Sequence, residues 1–167
     1  MNYHNITKDD MNNGDGLRVV LWVSGCEHCC AECQNPETWD YESGILFNKD
    51  AYYEIEEELK KDYVTGLTIS GGDPLAPLNV GSVLYIVRRI KQNFPNKTIW
   101  IYTGYKYEQL DCSLIGSMIL ECIDVLIDGK YDKNLRNVEL KWRGSSNQRV
   151  IDVQRSLENR KVVLYCD

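Results

Sequence analysis

The hydrophobic and polar positions along the chain alternate between short apolar runs and longer amphipathic stretches. The apolar runs have the length and the β-branched content of buried strands. They predict four strands: Arg18–Val23, Gly66–Ser70, Thr98–Tyr102 and Val125–Asp128. Two weaker runs near the C-terminus, Arg149–Val153 and Lys161–Cys166, are further strand candidates.

The amphipathic stretches place apolar residues on one face at helical spacing. They predict three helices: Asp50–Asp62, Asn79–Phe94 and Gln109–Cys122. Asp50 is the expected N-cap of the first helix, Pro95 ends the second, and Gly116 is expected to interrupt the third. Strands that alternate with helices in this way indicate an α/β domain with a mostly parallel sheet.

The length of the chain limits how far such a sheet can close. A complete eight-fold β/α barrel takes ~250 residues, whereas this chain has 167. The sequence therefore predicts a single α/β domain that forms a partial, incomplete β/α barrel.

Composition excludes several classes of protein. Hydrophobic residues make up 43% and charged residues 26% of the chain, as in ordinary globular proteins. The longest apolar runs, such as Val19–Val23, have five residues, far fewer than the ~20 of a membrane span. The first sixteen residues are too polar for a secretory signal. A net charge of −6 argues against a nucleic-acid partner.

Cysteine is the first unusual feature of the composition. The chain has seven cysteines, and an odd number cannot all be paired in internal disulfides. Four of them, Cys26, Cys29, Cys30 and Cys33, lie within eight residues. Such a cluster indicates metal binding in the reducing cytoplasm rather than a disulfide framework.

The spacing of these cysteines leaves the ligand set open. The three metal ligands are Cys26 and Cys33 together with either Cys30 or Cys29. Both sets place three thiolates on one short loop. Three thiolates can hold an iron–sulfur cluster and leave one metal position free. Structural zinc prefers four ligands, so a zinc-binding interaction domain that uses all four cysteines is the competing interpretation. His28 is either a fourth ligand or a residue outside the metal shell.

Small and polar residues follow each of the four clear strands. The turns are Ser24-Gly25-Cys26, Ser70-Gly71-Gly72-Asp73-Pro74, Thr103-Gly104-Tyr105 and Asp128-Gly129-Lys130. The carboxyl ends of parallel strands share one rim, and ligands bind there in α/β folds. We therefore expect one site that combines the cysteine loop with these turns.

Taken together, these motifs resemble the radical S-adenosylmethionine superfamily. Within it, the chain is similar to the glycyl-radical-enzyme activases that act on anaerobic ribonucleoside-triphosphate reductase. The matching segments are Met1–Tyr3, Asn13–Gly16, Val23–Cys26, Ser70–Leu75, Ile99–Tyr105, Asp128–Lys130 and Trp142–Gln148. The resemblance covers roughly residues 1–152 as an activase domain and leaves residues 153–167 as a C-terminal tail of unknown role.

The resemblance implies both cofactors and a reaction. It implies a [4Fe-4S] cluster on Cys26, Cys30 and Cys33, with S-adenosyl-L-methionine on the fourth iron and Cys29 facing away. Reductive cleavage of S-adenosylmethionine would give a 5′-deoxyadenosyl radical, which generates a glycyl radical on the large subunit of the reductase. An electron donor such as flavodoxin is implied, and the chemistry belongs to the cofactors rather than to a catalytic side chain. A formate-lyase-type glycyl-radical enzyme is the alternative partner.

The resemblance also implies the S-adenosylmethionine contacts. Gly71, Gly72 and Asp73 form the turn that meets its methionine end, and Gly72 is expected to leave room for it. Glu32, Cys33 and Gln34 are expected to contact the nucleoside through their backbone. Related proteins often carry an aromatic residue against the adenine at the position of Gln34, and this chain does not.

Overall fold

A computed structural model describes residues 1–166 of the chain. The strands are β1 (Asn2–Asp10), β2 (Leu17–Val23), β3 (Ile45–Leu46), β4 (Val64–Gly71), β5 (Thr98–Tyr102), β6 (Val125–Asp128), β7 (Arg149–Asp152) and β8 (Leu164–Cys166). The α-helices are α1 (Lys49–Leu59), α2 (Val80–Asn93), α3 (Tyr107–Asp111), α4 (Leu114–Leu120) and α5 (Val153–Asn159). Two short 3₁₀ helices cover Pro36–Thr38 and Lys133–Leu135.

All eight strands belong to one sheet, in the order β3-β1-β2-β4-β5-β6-β7-β8. Its centre, β2-β4-β5-β6, is parallel, while β1 and β3 at one edge and β7 and β8 at the other pair antiparallel. The prediction of a single α/β domain is confirmed. The prediction of a mostly parallel sheet is wrong, because the antiparallel edges make the sheet mixed.

The two faces of the sheet carry different cores. Along β5, Ile99 and Ile101 pack into the large core under the helices, whereas Trp100 and Tyr102 point to the opposite, inner face. This division follows from the alternation of side chains along a strand. The inner face carries a smaller cluster of Trp100, Val125, Ile127 and Val150, against which Tyr102, Trp142 and Cys166 pack.

Arg18 is fully buried on the inner face, at the beginning of β2. Its guanidinium donates to Thr68 Oγ1 at 2.7 Å, to Thr98 Oγ1 at 2.9 Å and to the Leu67 carbonyl at 2.9 Å. Burial lowers the pKa of Arg18 to about 10. These bonds join β2, β4 and β5 near their amino ends, so the opposite ends are held in register for the site.

Two helix boundaries differ from the sequence prediction. The N-cap of α1 is Asn48, whose side chain accepts from Ala51 N at 3.0 Å, and not Asp50. The third predicted helix is two helices, and it breaks before Ser113 rather than at Gly116. Ser113 caps α4 by accepting from Gly116 N at 2.9 Å. Gly116 lies inside α4, where a Cβ would meet the Leu110 carbonyl at 2.3 Å.

Three elements had no clear sequence pattern. In β1 only Tyr3 and Ile6 are buried, so most positions of the strand are polar and give no strand signal in the sequence. β3 has only two residues, and α5 has seven. α5 lies between β7 and β8, which confirm the two weaker strand predictions over shorter ranges. Within residues 1–166, none of the helices combines the length and the apolar character that a membrane span requires.

Candidate functional site

The carboxyl ends of β2, β4, β5 and β6 surround one cavity on the inner side of the sheet. Its lining combines residues from the cysteine loop with residues from the turns that follow the other three strands. These are Cys26, His28, Cys30, Cys33, Gln34, Gly71, Gly72, Asp73, Thr103, Gly104, Gly129 and Lys130. The parallel register of β2 and β4, with Val23 opposite Gly71, brings the first two groups together.

The cysteine loop presents three thiols to this cavity. Cys26, Cys30 and Cys33 are partly buried and line it, whereas Cys29 is exposed and does not. Cys29 has a φ of +47°, a left-handed backbone conformation that changes the direction of the chain at this residue. Cys29 and Cys30 therefore face different surroundings.

Cys26 and Cys30 lie in a setting that opposes the ionisation of their thiols. Burial raises the pKa of Cys26 to about 11 and also raises the pKa of Cys30. Because metals bind the thiolate, a bound metal must displace these protons and supply positive charge. Within residues 1–166, no three His, Cys, Asp or Glu side chains are already grouped as ligands for one ion. Three thiols that line one cavity fit an iron–sulfur cluster, whose cysteines bind different irons.

Backbone hydrogen bonds hold the start of the cysteine loop against the glycine turn. Gly25 N donates to the Thr38 carbonyl at 2.7 Å, and Asp73 N donates to the Gly25 carbonyl at 2.8 Å. Gly25 has a φ of +95°, which a residue with a side chain rarely adopts. The loop and the turn thus form one backbone unit.

Gly72 leaves no room for a side chain even without a ligand in the cavity. A Cβ on Gly72 would lie 2.6 Å from the Gly25 carbonyl oxygen. The close approach is therefore to the cysteine loop itself, and the first effect of a side chain here would be to push the two segments apart.

Asp73 is the most connected side chain of the site and is 1% exposed. Oδ1 accepts from Leu75 N at 2.8 Å and Thr103 Oγ1 at 2.9 Å. Oδ2 accepts from Gly104 N at 2.9 Å and His28 Nε2 at 2.6 Å. The sequence singled out Asp73 and His28, but the bond between them was not predicted, because they lie 45 positions apart.

Cys33 and Gln34 line the cavity as well, whereas Glu32 lies outside the lining. The Glu32 carboxylate is exposed and forms an ion pair with Lys133 Nζ at 3.2 Å.

Gln148 is a site residue that sequence reasoning left without a role. Its Oε1 accepts from Gly144 N at 2.9 Å, and its Nε2 donates to the Gly129 carbonyl at 2.9 Å. Gln148 also lines the cavity. It holds residues 130–148 against the end of β6. The sequence signals for this residue were the matching segment Trp142–Gln148 and the run of polar residues before an apolar strand, and neither showed what Gln148 contacts.

Comparison with known protein families defines the class of this site. Residues 12–151 match a family model described as a 4Fe-4S single cluster domain. The match includes the cysteine loop and all four turns that surround the cavity.

Individual relatives define the family more closely. The chain is 46% identical over 150 residues to the anaerobic ribonucleoside-triphosphate reductase-activating protein of Enterobacteria phage T4, with 90% of this chain and 93% of the relative covered. The proteins of the same name from Haemophilus influenzae and Escherichia coli K12 are 45% and 43% identical, with 89% of this chain and 96% of each relative covered. The chain belongs to the family of anaerobic ribonucleoside-triphosphate reductase-activating proteins.

Proposed function

We propose that this protein activates an anaerobic ribonucleoside-triphosphate reductase by cleaving S-adenosylmethionine at a [4Fe-4S] cluster. The observation that carries the proposal is that Cys26, Cys30 and Cys33 line the same cavity as the Gly71-Gly72 turn, whereas Cys29 is exposed and lies outside it. The names of the relatives point to the same target enzyme. The open sheet is then the incomplete β/α barrel of a radical S-adenosylmethionine protein.

The cluster would be held by the thiolates of Cys26, Cys30 and Cys33. When bound, it supplies one electron that splits S-adenosylmethionine into methionine and a 5′-deoxyadenosyl radical, which takes a hydrogen atom from a glycine Cα of the reductase. A cluster held by three protein ligands would keep its fourth iron available for the amino and carboxylate groups of S-adenosylmethionine. A fourth thiolate would close that position, and the exposure of Cys29 supports its exclusion.

The backbone of the glycine turn is proposed to bind the methionine end. Gly71 lines the cavity with a φ of +99°, so its backbone faces the ligand without a side chain. The nucleoside would lie along the backbone of Glu32, Cys33 and Gln34. The Asp73 carboxylate is proposed to stabilise this turn rather than to bind the ligand, because it already accepts hydrogen bonds from four protein donors.

The remaining walls are proposed to exclude water and to receive the partner. Tyr131, Gly144 and Gln148 line the cavity from the segment after β6, so residues 130–148 cover one side of it. The partner would be the large subunit of the reductase, and a cytoplasmic electron donor such as flavodoxin would reduce the cluster. The acidic net charge of −6 continues to argue against nucleic acid as a partner.

The test is a reconstitution without oxygen. Protein loaded with iron and sulfide is mixed with S-adenosylmethionine, a reductant and the reductase large subunit, and the glycyl radical is measured by electron paramagnetic resonance. We expect a glycyl-radical signal and stoichiometric 5′-deoxyadenosine. A parallel reaction with a formate-lyase-type enzyme distinguishes the partner, and a signal only there would overturn the assignment. Binding of zinc without uptake of iron and sulfide would overturn the reaction itself.

A further inference from the structure

His28 lies in the middle of the cysteine loop, between Cys26 and Cys30, and its side chain is only 10% exposed. Its Nε2 is 2.6 Å from Asp73 Oδ2. Because this carboxylate accepts three further hydrogen bonds, His28 is the donor in the contact. The bond joins the loop that carries the thiols to a buried group at the end of β4.

The carboxylate of Asp73 has no lone pair left for a ligand. Leu75 N, Thr103 Oγ1, Gly104 N and His28 Nε2 occupy the four acceptor positions that two carboxylate oxygens offer. Asp73 therefore acts as a junction between β4, the end of β5 and the cysteine loop. Its influence on a cofactor passes through the groups that it holds.

The orientation of the His28 ring is fixed from two further sides. It packs edge-on against Tyr105 with ring centroids 4.7 Å apart. A Cβ on Gly104 would lie 2.3 Å from His28 Cδ2, so Gly104 leaves the space that the imidazole fills. These contacts preorganise the ring for its bond to Asp73.

Two other side chains between Cys26 and Cys33 also form hydrogen bonds outside the loop, and these bonds are weaker restraints than that of His28. Glu27 accepts from Tyr41 at 3.0 Å and Glu32 from Lys133 at 3.2 Å, and both contacts are exposed to solvent. Exposed contacts of this kind contribute little to stability. The buried bond of His28 is the contact that ties the loop between Cys26 and Cys30 to the rim of the sheet.

We infer that His28 is a positioning residue, which holds the cysteine loop in a fixed place relative to the Gly71-Gly72 turn through its bond to Asp73. The inference rests on the proposed function, because it specifies how the same site aligns its two cofactors. The three thiolates hold the cluster without His28. The correct approach of S-adenosylmethionine to the fourth iron requires the imidazole–carboxylate bond.

The first test compares His28→Leu with His28→Gln after reconstitution without oxygen, with iron and sulfide content and S-adenosylmethionine binding measured on each. Leucine keeps bulk but cannot donate, whereas glutamine keeps a donor. We expect both variants to retain four irons, and His28→Leu to bind S-adenosylmethionine about tenfold more weakly. The effect of S-adenosylmethionine on the spectrum of the reduced cluster should also shrink in His28→Leu. His28→Gln should recover most of both properties.

The second test needs no cofactor. Alkylation rates of Cys26 and Cys30 are measured by mass spectrometry on the full chain without metal, and His28→Leu should raise them about threefold or more, because the released loop exposes its thiols. His4→Leu is the matched control, since His4 bonds Ser43 at 2.8 Å outside the cavity, and it should leave the rates unchanged.

The outcomes separate this inference from the proposed function. Normal binding of S-adenosylmethionine and unchanged alkylation in His28→Leu would overturn the positioning role while the proposed function stands. Loss of iron in both His28 variants would also overturn it, because His28 would then be a ligand. If the wild-type protein assembles no cluster, the proposed function fails, and the alkylation rates still decide whether His28 restrains the loop.

Discussion

Cys29 and Cys30 are neighbours in the sequence, but their surroundings differ. Cys30 lines the cavity beside Cys26 and Cys33, and the left-handed backbone at Cys29 turns its own thiol to the exterior. We therefore expect Cys30→Ala to lose most of the iron and all cleavage of S-adenosylmethionine. Cys29→Ala should keep both, since it removes an exposed thiol. Both properties are measured after reconstitution without oxygen.

The two alanine variants are controls for each other, because they make the same substitution one position apart. Retention of the cluster in Cys30→Ala together with its loss in Cys29→Ala would place the ligands at Cys26, Cys29 and Cys33. Loss in both variants would favour a site with four cysteines, which is incompatible with an open iron.

At the scale of single residues, the sequence predicts what is local and misses what depends on register. The cysteine cluster is recognisable because its spacing lies within eight residues. The bond between His28 and Asp73 joins positions 45 apart and exists only because β2 and β4 are parallel neighbours. The same holds for Gly72, since the group that excludes a side chain there is the Gly25 carbonyl.

At the scale of elements, Arg149 joins β7 to β6 and to α3. Its side chain bonds both oxygens of Asp128, with Nε at 2.9 Å from Oδ1, and donates to the Glu108 carboxylate at 2.9 Å. Asp128 is fully buried and also accepts from Tyr107 N at 2.8 Å. Arg149 is therefore the cation that compensates a buried carboxylate beneath the Asp128–Lys130 turn.

We expect Arg149→Met to destabilise the protein by about 3 kcal/mol, because it leaves the Asp128 charge buried without its partner. Glu108→Gln should cost about 1 kcal/mol or less, since the Glu108 side chain is 58% exposed. Urea unfolding of the metal-free chain, followed by circular dichroism, measures both free energies. Equal losses in the two variants would show that Asp128 does not depend on Arg149.

The contribution of Glu108 should depend on pH in a defined direction. Its hydrogen bond from Arg149 lowers the pKa of Glu108 from 4.5 to about 2 in the folded protein. A lowered pKa stabilises the folded state above the unfolded value, and the effect is lost as pH falls through the folded one. The difference between wild type and Glu108→Gln should therefore be constant above about pH 5 and disappear towards pH 2.

The sequence predicts the strands that are buried on both faces and misses the strand that is not. β2, β4, β5 and β6 are buried on both faces: the helices cover the face that forms the large core, and on the other face Val20, Thr68, Trp100 and Ile127 are also buried. β1 buries only Tyr3 and Ile6, so its pattern does not differ from that of a loop. A break between two helices is decided by a cap such as Ser113, which the periodicity of apolar residues does not report.

At the scale of the whole molecule, the error about the sheet, which is mixed rather than mostly parallel, comes from its edges. The parallel centre follows from the alternation of strands and helices. The antiparallel edges depend on β1, which is polar, and on β7 and β8, which are short. These edge strands flank the site but do not line it, so the position of the site was predictable even though the sheet was not.

The charge distribution of the whole chain bears on how a partner approaches the cavity. Residues 130–148 carry five Lys or Arg and two Asp or Glu, a net charge of +3 in a chain of net charge −6. Val138 in this segment is 77% exposed. A basic segment with exposed apolar side chains beside an open cavity is a suitable surface for an acidic partner segment.

Docking of the reductase should accelerate the cleavage of S-adenosylmethionine. The cavity of the free protein is open to solvent, and closure by a partner removes water and restricts the ligand. We expect 5′-deoxyadenosine to form about tenfold or more faster with the reductase large subunit than without it, at saturating reductant. Because the segment 130–148 is basic, the acceleration should weaken when salt is raised from ~0.05 M to ~0.5 M. Equal rates with and without the reductase would show that the cavity is complete in the free protein, and acceleration insensitive to salt would move the docking surface away from this segment.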